Sequence, residues 1–145
     1  MAELERVVVD TNVVVSGLLF PRTELGRALS KAQSQVMLAS EATKLEVVEV
    51  LLRPKFDRYV DLEIRRRLAA EYIRACQTVL VYSSIQACRD PKHNKFLELA
   101  VDGHAVLILT GDRDLLVLSP FRGISLVNPL QYLAEGRGSQ VSGAS

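Results

Sequence analysis

Val7-Val8-Val9-Asp10 is the stretch that decides the fold, because three consecutive β-branched residues predict a strand that is buried on both faces. Asp10 ends this strand. Similar short runs recur at residues 36–39, 79–82, 106–109 and 124–127. Helical patterns or loops separate these runs from one another. The alternation predicts an α/β fold, with a central and mostly parallel sheet of about five strands flanked by helices.

The segments between the strands carry signals for the ends of helices. Ser40 is a good N-cap for a helix that runs to about Leu52, because Pro54 disfavours helical backbone at the residue before it. Asp90-Pro91 and Asn128-Pro129 each combine a capping residue with proline at the first helical position. Each pair therefore predicts the start of a further helix.

A helix that begins at Asp61 shows apolar residues four positions apart. The residues that share this side, and that we predict to be buried, are Ile64, Leu68, Tyr72 and Cys76. The arginines between them, Arg65, Arg66, Arg67 and Arg74, are predicted to face solvent.

Composition limits the chain to one domain. With 145 residues it can build one core, so we expect a domain over residues 1–135 and a disordered tail over residues 136–145. No apolar run reaches the roughly 18 residues that a membrane-spanning helix needs. Acidic residues stand near the N-terminus, where a secretory signal carries basic ones. We therefore expect a cytoplasmic protein that makes no membrane contact.

Two acidic residues follow predicted strands directly. Asp10 follows the first strand, and Asp112 follows the run at 106–109 after Thr110 and Gly111. Ligands of open parallel sheets bind beyond the carboxyl ends of the strands, which is where both carboxylates are expected. A charged group flanked by apolar runs, as Asp10 is, costs free energy to bury unless it is compensated. One alternative is that Asp10 only caps a turn between strand and helix.

Further acidic residues come from other predicted elements. Glu46 lies on the helix that starts at Ser40, and Asp90 stands at a helix start with His93 one turn later. Asp114 follows Asp112 by two residues. Each has a structural alternative, because Glu46 can belong to a solvated face and an aspartate at a helix start can act as an N-cap.

Carboxylates gathered in one crevice repel one another and raise one another's pKa unless a cation neutralises them. Oxygen-rich sites of this kind suit Mg²⁺ or Mn²⁺, which keep several waters and bind substrate phosphates. One or two such ions can activate water and stabilise a leaving oxygen. The acidic residues therefore predict metal-dependent hydrolysis of a phosphodiester.

Four blocks of this sequence resemble the PIN-domain family, in the branch of VapC-like ribonucleases that are described as toxin components of toxin-antitoxin systems. The blocks are Val9-Asp10-Thr11-Asn12-Val13, Ser40-Glu41 leading to Glu46 and Arg53-Pro54-Lys55-Phe56, residues 89–100, and Thr110-Gly111-Asp112-Arg113-Asp114-Leu115-Leu116. They stand in the family's order, and the resemblance covers residues 6–135.

The resemblance implies a PIN fold and cleavage of single-stranded RNA that depends on Mg²⁺ or Mn²⁺. It also implies a homodimer and a small antitoxin partner. The catalytic and metal-binding roles that we expect fall on Asp10, Glu46, Asp90 and Asp112, with His93 and Asp114 as alternative ligands and with Asn12 and Thr110 as supporting hydrogen-bonding residues.

His93 is the departure from the family pattern, since relatives of this branch commonly carry a second acidic residue at this position. Either Asp90 supplies the third carboxylate, or His93 joins as an imidazole ligand, or the metal site is weakened. Imidazole suits manganese or zinc better than magnesium. His93 also keeps open a different class of function, a PIN-like module that binds RNA or protein without cleaving it.

The net charge of +1 exerts no strong attraction on nucleic acid over the whole molecule, so contacts to RNA must be local. Lys95 and Arg113 are the expected RNA-binding residues, because they adjoin the acidic blocks. A third class, a phosphatase of the haloacid dehalogenase kind, needs a second aspartate two residues after the first. Asn12 occupies that position, which disfavours this class.

Overall fold

The computed structural model describes residues 3–135, and the predicted tail at 136–145 lies outside the described residues. Five strands form one sheet: β1 Arg6–Val9, β2 Val36–Ala39, β3 Gln77–Thr78, β4 Leu107–Leu109 and β5 Ser125–Val127. Their order is β3-β2-β1-β4-β5, and every neighbouring pair is parallel. The predicted α/β fold with a parallel sheet is confirmed.

Helices fill the connections between the strands, as parallel pairing requires. They are α1 Thr11–Leu19, α2 Glu24–Gln33, α3 Glu41–Leu51, α4 Leu62–Ala75, α5 Asn94–Asp102, α6 Arg113–Leu116 and α7 Pro129–Ala134, with 3₁₀ turns at Pro54–Phe56 and Pro91–His93. Ser40 and Asn128 are N-caps, each within a capping box, as the sequence indicates. No helix within residues 3–135 is both long and apolar enough to cross a membrane.

The alternation of side chains along β1 divides the core between the two faces of the sheet. Val7 and Val9 pack on one face with the apolar residues of α1 and α2, whereas Val8 packs on the other with Ile108 and the apolar side of α5. β1 is buried on both faces because it lies at the centre of the sheet. The predicted double burial of this strand is confirmed.

The strand predicted at residues 79–82 is wrong, because regular pairing ends at Thr78. The backbone N–H groups of Tyr82 and Ser83 donate instead to the carboxylate of Asp102, at 2.9 Å each. The carboxylate of Asp102 thus accepts the N–H groups that would otherwise donate to a neighbouring strand.

The buried face predicted for α4 is wrong in part, since Tyr72 is buried and Leu68 and Cys76 are half-buried, but Ile64 and Arg65 are exchanged. Arg65 is fully buried, together with Ala69 and Tyr72, whereas Ile64 is exposed. The guanidinium of Arg65 satisfies its donors on carbonyl groups of the preceding loop and on Asp57, which makes its burial tolerable. The four-residue spacing identified apolar residues on one side of α4. It could not show that an arginine with satisfied hydrogen bonds would be buried there.

Candidate active site

Asp10 and Thr110 lie side by side, because β1 and β4 are parallel neighbours and each residue follows its strand. Asp10 caps α1 through an oxygen that accepts the N–H of Val13 at 3.0 Å. Its other oxygen accepts the hydroxyl of Thr110. The same hydroxyl oxygen accepts the N–H of Asp112 at 3.0 Å, so Thr110 joins the ends of two strands.

Asp10 is a buried carboxyl group, only 5% exposed. Burial raises its pKa above the usual 3.8, while the Thr110 hydroxyl, the Val13 N–H and the charge of His93 act in the opposite direction. The effect of removal from solvent on this pKa is larger than the effect of the hydrogen bonds. Keeping Asp10 anionic in the folded protein therefore costs free energy. A cation beside it would lower that cost.

Glu46 reaches towards the end of β1 from α3. One of its carboxylate oxygens accepts the hydroxyl of Thr11, the residue after Asp10. The other lies 3.1 Å from the ammonium group of Lys95, on α5. Glu46 is therefore fixed between the first helix and α5.

Asp112, Asp114 and His93 form a group whose ligand-type atoms lie within 4.8 Å of one another. His93 Nε2 is 3.4 Å from a carboxylate oxygen of Asp112, and Asp112 also caps α6 through the N–H of Asp114. Arg89 lies 3.3 Å from the carboxylate of Asp114. We call these three residues the His93 group.

A cleft of about 200 Å³ opens at Asp10 and Glu46. Its lining residues are Asp10, Thr11, Asn12, Glu46, Val50, Arg53, Lys92, His93 and Phe96. His93 belongs both to this cleft and to the His93 group, so the cleft and the group are contiguous. The structure thus brings Asp10 and Glu46 into one cleft and places Asp112 and Asp114 beside it.

Other predicted site residues lie at the margin or outside. Asp90 accepts the N–H of Lys92 at 3.1 Å, and among residues 3–135 it joins neither the cleft lining nor the His93 group. Asn12 is exposed and lines the cleft, but its side chain makes no hydrogen bond within the described part of the chain. Arg113 is exposed in the first turn of α6.

A comparison with family models matches residues 6–114 to the PIN domain. The chain belongs to the PIN-domain family. The match includes each acidic residue of the cleft and of the His93 group, whereas β5 and α7 follow it. The chain is also 30% identical over 116 residues to the uncharacterized protein MJ1680 of Methanocaldococcus jannaschii, across 78% of this chain and 74% of that one.

A solved structure extends the similarity in three dimensions. This PIN domain is similar to a chain in the crystal structure of VapBC2 from Rickettsia felis bound to a DNA fragment from their promoter. The TM-score is 0.54 at 9% identity, over 85% of this chain and 98% of that chain. At this identity the likeness concerns the fold alone.

The donor atoms of this PIN domain fit a divalent cation. Carboxylate oxygens dominate, which suits Mg²⁺ or Mn²⁺, and the spacing within the His93 group is short enough for shared ligation. The imidazole of His93 adds a nitrogen donor, which Mn²⁺ accepts more readily than Mg²⁺ does. The buried charge of Asp10 is a further feature that a cation would stabilise.

Sequence reasoning missed Thr11 and Arg53 as residues of the site. Thr11 holds Glu46, and Arg53 lines the cleft from the turn that follows α3. The available signal was that both residues lie within the four blocks that resemble the PIN-domain family. Thr11 follows Asp10 directly, and Arg53 opens the Arg-Pro-Lys-Phe segment. Nothing in the local pattern showed that α3 packs against α1 and so brings Glu46 to Thr11.

Proposed function

We propose that this PIN domain is an endoribonuclease that cleaves single-stranded RNA with the help of Mg²⁺ or Mn²⁺. One observation carries the proposal: Asp10 and Glu46, from separate elements, share a cleft that adjoins Asp112 and Asp114. Carboxylates from distant parts of a chain are costly to assemble without a cation, and phosphodiester hydrolysis is chemistry that such a cation supports.

The side chains of the site have distinct tasks in this proposal. Asp10, Glu46 and Asp112 would hold the cation, with His93 and Asp114 beside them and with Asp90 as a more distant acidic residue. When bound, such a cation lowers the pKa of water and neutralises charge on the phosphate. Thr110 fixes the carboxylate of Asp10.

Thr11 fixes the carboxylate of Glu46 in the same way. The two hydroxyl groups therefore hold acids from β1 and α3 in defined orientations, which limits the reorganisation needed when a cation and a phosphate enter the cleft. This pre-organisation is the contribution of the chain's own residues to the proposed reaction.

We further propose that the protein acts as the toxin of a toxin-antitoxin pair in the cytoplasm, as a homodimer with a small antitoxin partner. The four sequence blocks support this assignment through their resemblance to the toxin branch of the family. The fold of the VapBC2 chain is compatible with it. Co-expression with the product of the adjacent short reading frame, followed by co-purification, tests the partner.

Cleavage of a labelled single-stranded RNA in Mn²⁺ or Mg²⁺ tests the activity itself. We expect the wild-type protein to produce fragments that disappear with a chelator. Asp10→Asn should abolish cleavage because it removes a charged ligand, while Glu49→Gln, a change at an exposed acid outside the cleft, should leave the rate unchanged. Full activity in Asp10→Asn would place the active centre elsewhere.

A second candidate function, an RNA- or protein-binding module that does not cleave, is favoured by a specific observation. Lys95 pairs with Glu46, and the His93 ring stands 3.4 Å from Asp112, so basic side chains of the chain itself already lie beside two of the acids. Calorimetric titration with Mn²⁺ separates the candidates. Heat of metal binding supports the nuclease, whereas RNA binding without metal uptake supports the module.

A further inference from the structure

Two basic side chains line the cleft that holds Asp10 and Glu46. Lys95 does not belong to the cleft lining and is paired with Glu46 at 3.1 Å. Arg53 and Lys92 line the cleft, yet neither side chain makes an ion pair or a hydrogen bond with any residue from 3 to 135. Both are exposed and so remain available to an anion from solution.

The two side chains come from different elements of the cleft wall. Arg53 follows α3, and its carbonyl group is held at 3.1 Å by the buried Arg65, so the backbone that carries its side chain is fixed. Lys92 lies in the 3₁₀ turn before α5, and its N–H and carbonyl are bound by Asp90 and Lys95. The backbone of each residue is therefore anchored, while the side chain is free to reach an anion in the cleft.

The acidic residues Asp10 and Glu46 form the floor of the cleft, and the exposed basic residues Arg53 and Lys92 form its rim. This distribution of charge suggests how a polyanion could bind in the cleft. Acidic residues on the floor repel phosphates, so a nucleic acid needs cations at the rim to approach them. The cleft is also small, with a volume of about 200 Å³. Single-stranded RNA can splay an unstacked base into a small cleft, whereas the bases of a duplex stay paired and stacked.

We propose that Arg53 and Lys92 bind two phosphates of a single-stranded RNA and hold it across the cleft. This proposal rests on the proposed ribonuclease function and adds the residues that bind its substrate. The two cations act on the backbone and therefore contribute to affinity in a manner independent of base sequence.

Binding is measured by fluorescence anisotropy with a short labelled single-stranded RNA of mixed sequence, in a chelator, so that no cleavage occurs. We expect Arg53→Gln and Lys92→Gln each to weaken binding severalfold and to lower the slope of log affinity against log salt by about 0.7. Arg53→Lys should recover most of the lost affinity because it keeps the charge.

Arg67→Gln is the matched control, since it also removes one exposed positive charge but lies on α4 outside the cleft lining. Its affinity and salt slope should equal those of the wild type. Equal losses in Arg67→Gln and the two cleft variants would overturn the proposal, because a general charge effect would then suffice. Unchanged binding in the cleft variants, or no binding by the wild type, would also overturn it.

A separate cleavage assay in Mn²⁺ distinguishes a failure of the RNA-binding proposal from a failure of the ribonuclease proposal. If the wild type does not cleave and the cleft variants lose affinity, the RNA-binding role of Arg53 and Lys92 stands while the ribonuclease function falls. If the wild type cleaves and the cleft variants bind RNA normally, the function stands and these two residues are not its substrate contacts.

Discussion

At the scale of single residues, Asp10 shows how burial and function compete. Its carboxylate has two hydrogen bonds, from Val13 and Thr110, but burial still raises its pKa. The folded protein consequently binds the Asp10 proton more tightly than the unfolded chain does. The charged form that a cation requires is the form that the apo fold accommodates poorly.

Asp10→Asn should therefore change how stability depends on pH. Because the folded pKa lies above the unfolded value of 3.8, the stabilising effect of the Asp10 proton is present below that pH and is lost as the pH rises through the folded pKa. Asparagine does not titrate but can still accept the N–H of Val13. We expect the variant to be more stable than the wild type at neutral pH.

Urea unfolding in a chelator, repeated over a range of pH, measures this difference. The stability of Asp10→Asn relative to the wild type should increase as the pH rises above about 4. A difference that stays constant with pH would show that Asp10 has the same pKa in the folded and unfolded chains.

Lys95 is the second residue whose contacts lead to a prediction, since it pairs with Glu46 and donates to the carbonyl of Lys92. Its ammonium group lies 3.1 Å from an oxygen of Glu46, so in the proposed site it would compete with a divalent cation for that carboxylate. Lys95→Gln removes this competitor, so we expect Mn²⁺ to bind severalfold more tightly. Isothermal titration calorimetry gives the affinity.

Arg67→Gln again serves as the control, because it lowers the net charge by the same amount away from the site. Tighter binding in both variants would assign the effect to net charge, and unchanged affinity in Lys95→Gln would mean that Glu46 is not a ligand. Lys95 was predicted as an RNA-binding residue, and that role stays a prediction.

At the scale of elements, the junction of α3 and α4 depends on Arg65. Its guanidinium donates to the carbonyl groups of Val60, Leu51 and Arg53 and pairs with Asp57. Arg65→Met would leave those buried carbonyls without a donor, and we expect it to lower the free energy of unfolding by about 2–3 kcal/mol. Chemical denaturation measures the loss.

The neighbouring Arg66→Met tests whether the effect belongs to this position. Arg66 is exposed and pairs only weakly with Glu63, at 3.3 Å, so its loss should change stability by less than about 0.5 kcal/mol. Similar losses in both variants would contradict the role given to Arg65. Weaker RNA binding by Arg65→Met, at a temperature where it is folded, should accompany displacement of Arg53.

The elements also show what a sequence reveals and what it does not. The β-branched run of β1 and the cap of α3 at Ser40 are local signals, and both predictions hold in the structure. The run from Val13 to Val15 is equally β-branched yet forms part of α1, because Asp10 caps it and packing buries all three residues. Local preference cannot reveal such tertiary effects.

The residues of the candidate site also differ in whether the sequence alone could predict their contacts. Asp10 and Thr110 were predictable together, since parallel strands place their carboxyl ends at one edge of the sheet. The contact between Thr11 and Glu46 depends instead on how α3 lies over α1, which no local pattern specifies. For the same reason, the sequence could not separate Asp90, which caps a 3₁₀ turn, from the acids that reach the cleft.

At the scale of the whole molecule, the acids of the site couple elements that are far apart in the chain. Asp10 follows β1, Glu46 lies on α3, and Asp112 follows β4. A cation held by these residues binds the folded state and not the unfolded chain, so its binding free energy adds to stability. At about 100 times the dissociation constant the gain is about 2.7 kcal/mol.

We therefore expect Mn²⁺ to raise the melting temperature by roughly 8 °C at that concentration, given about 3 °C per kcal/mol for a domain of this size. Differential scanning calorimetry measures the shift. Asp112→Asn should show a smaller shift because it lacks one ligand, whereas the exposed Glu49→Gln should match the wild type. Equal shifts in all three proteins would place the cation at some other acidic surface of the protein.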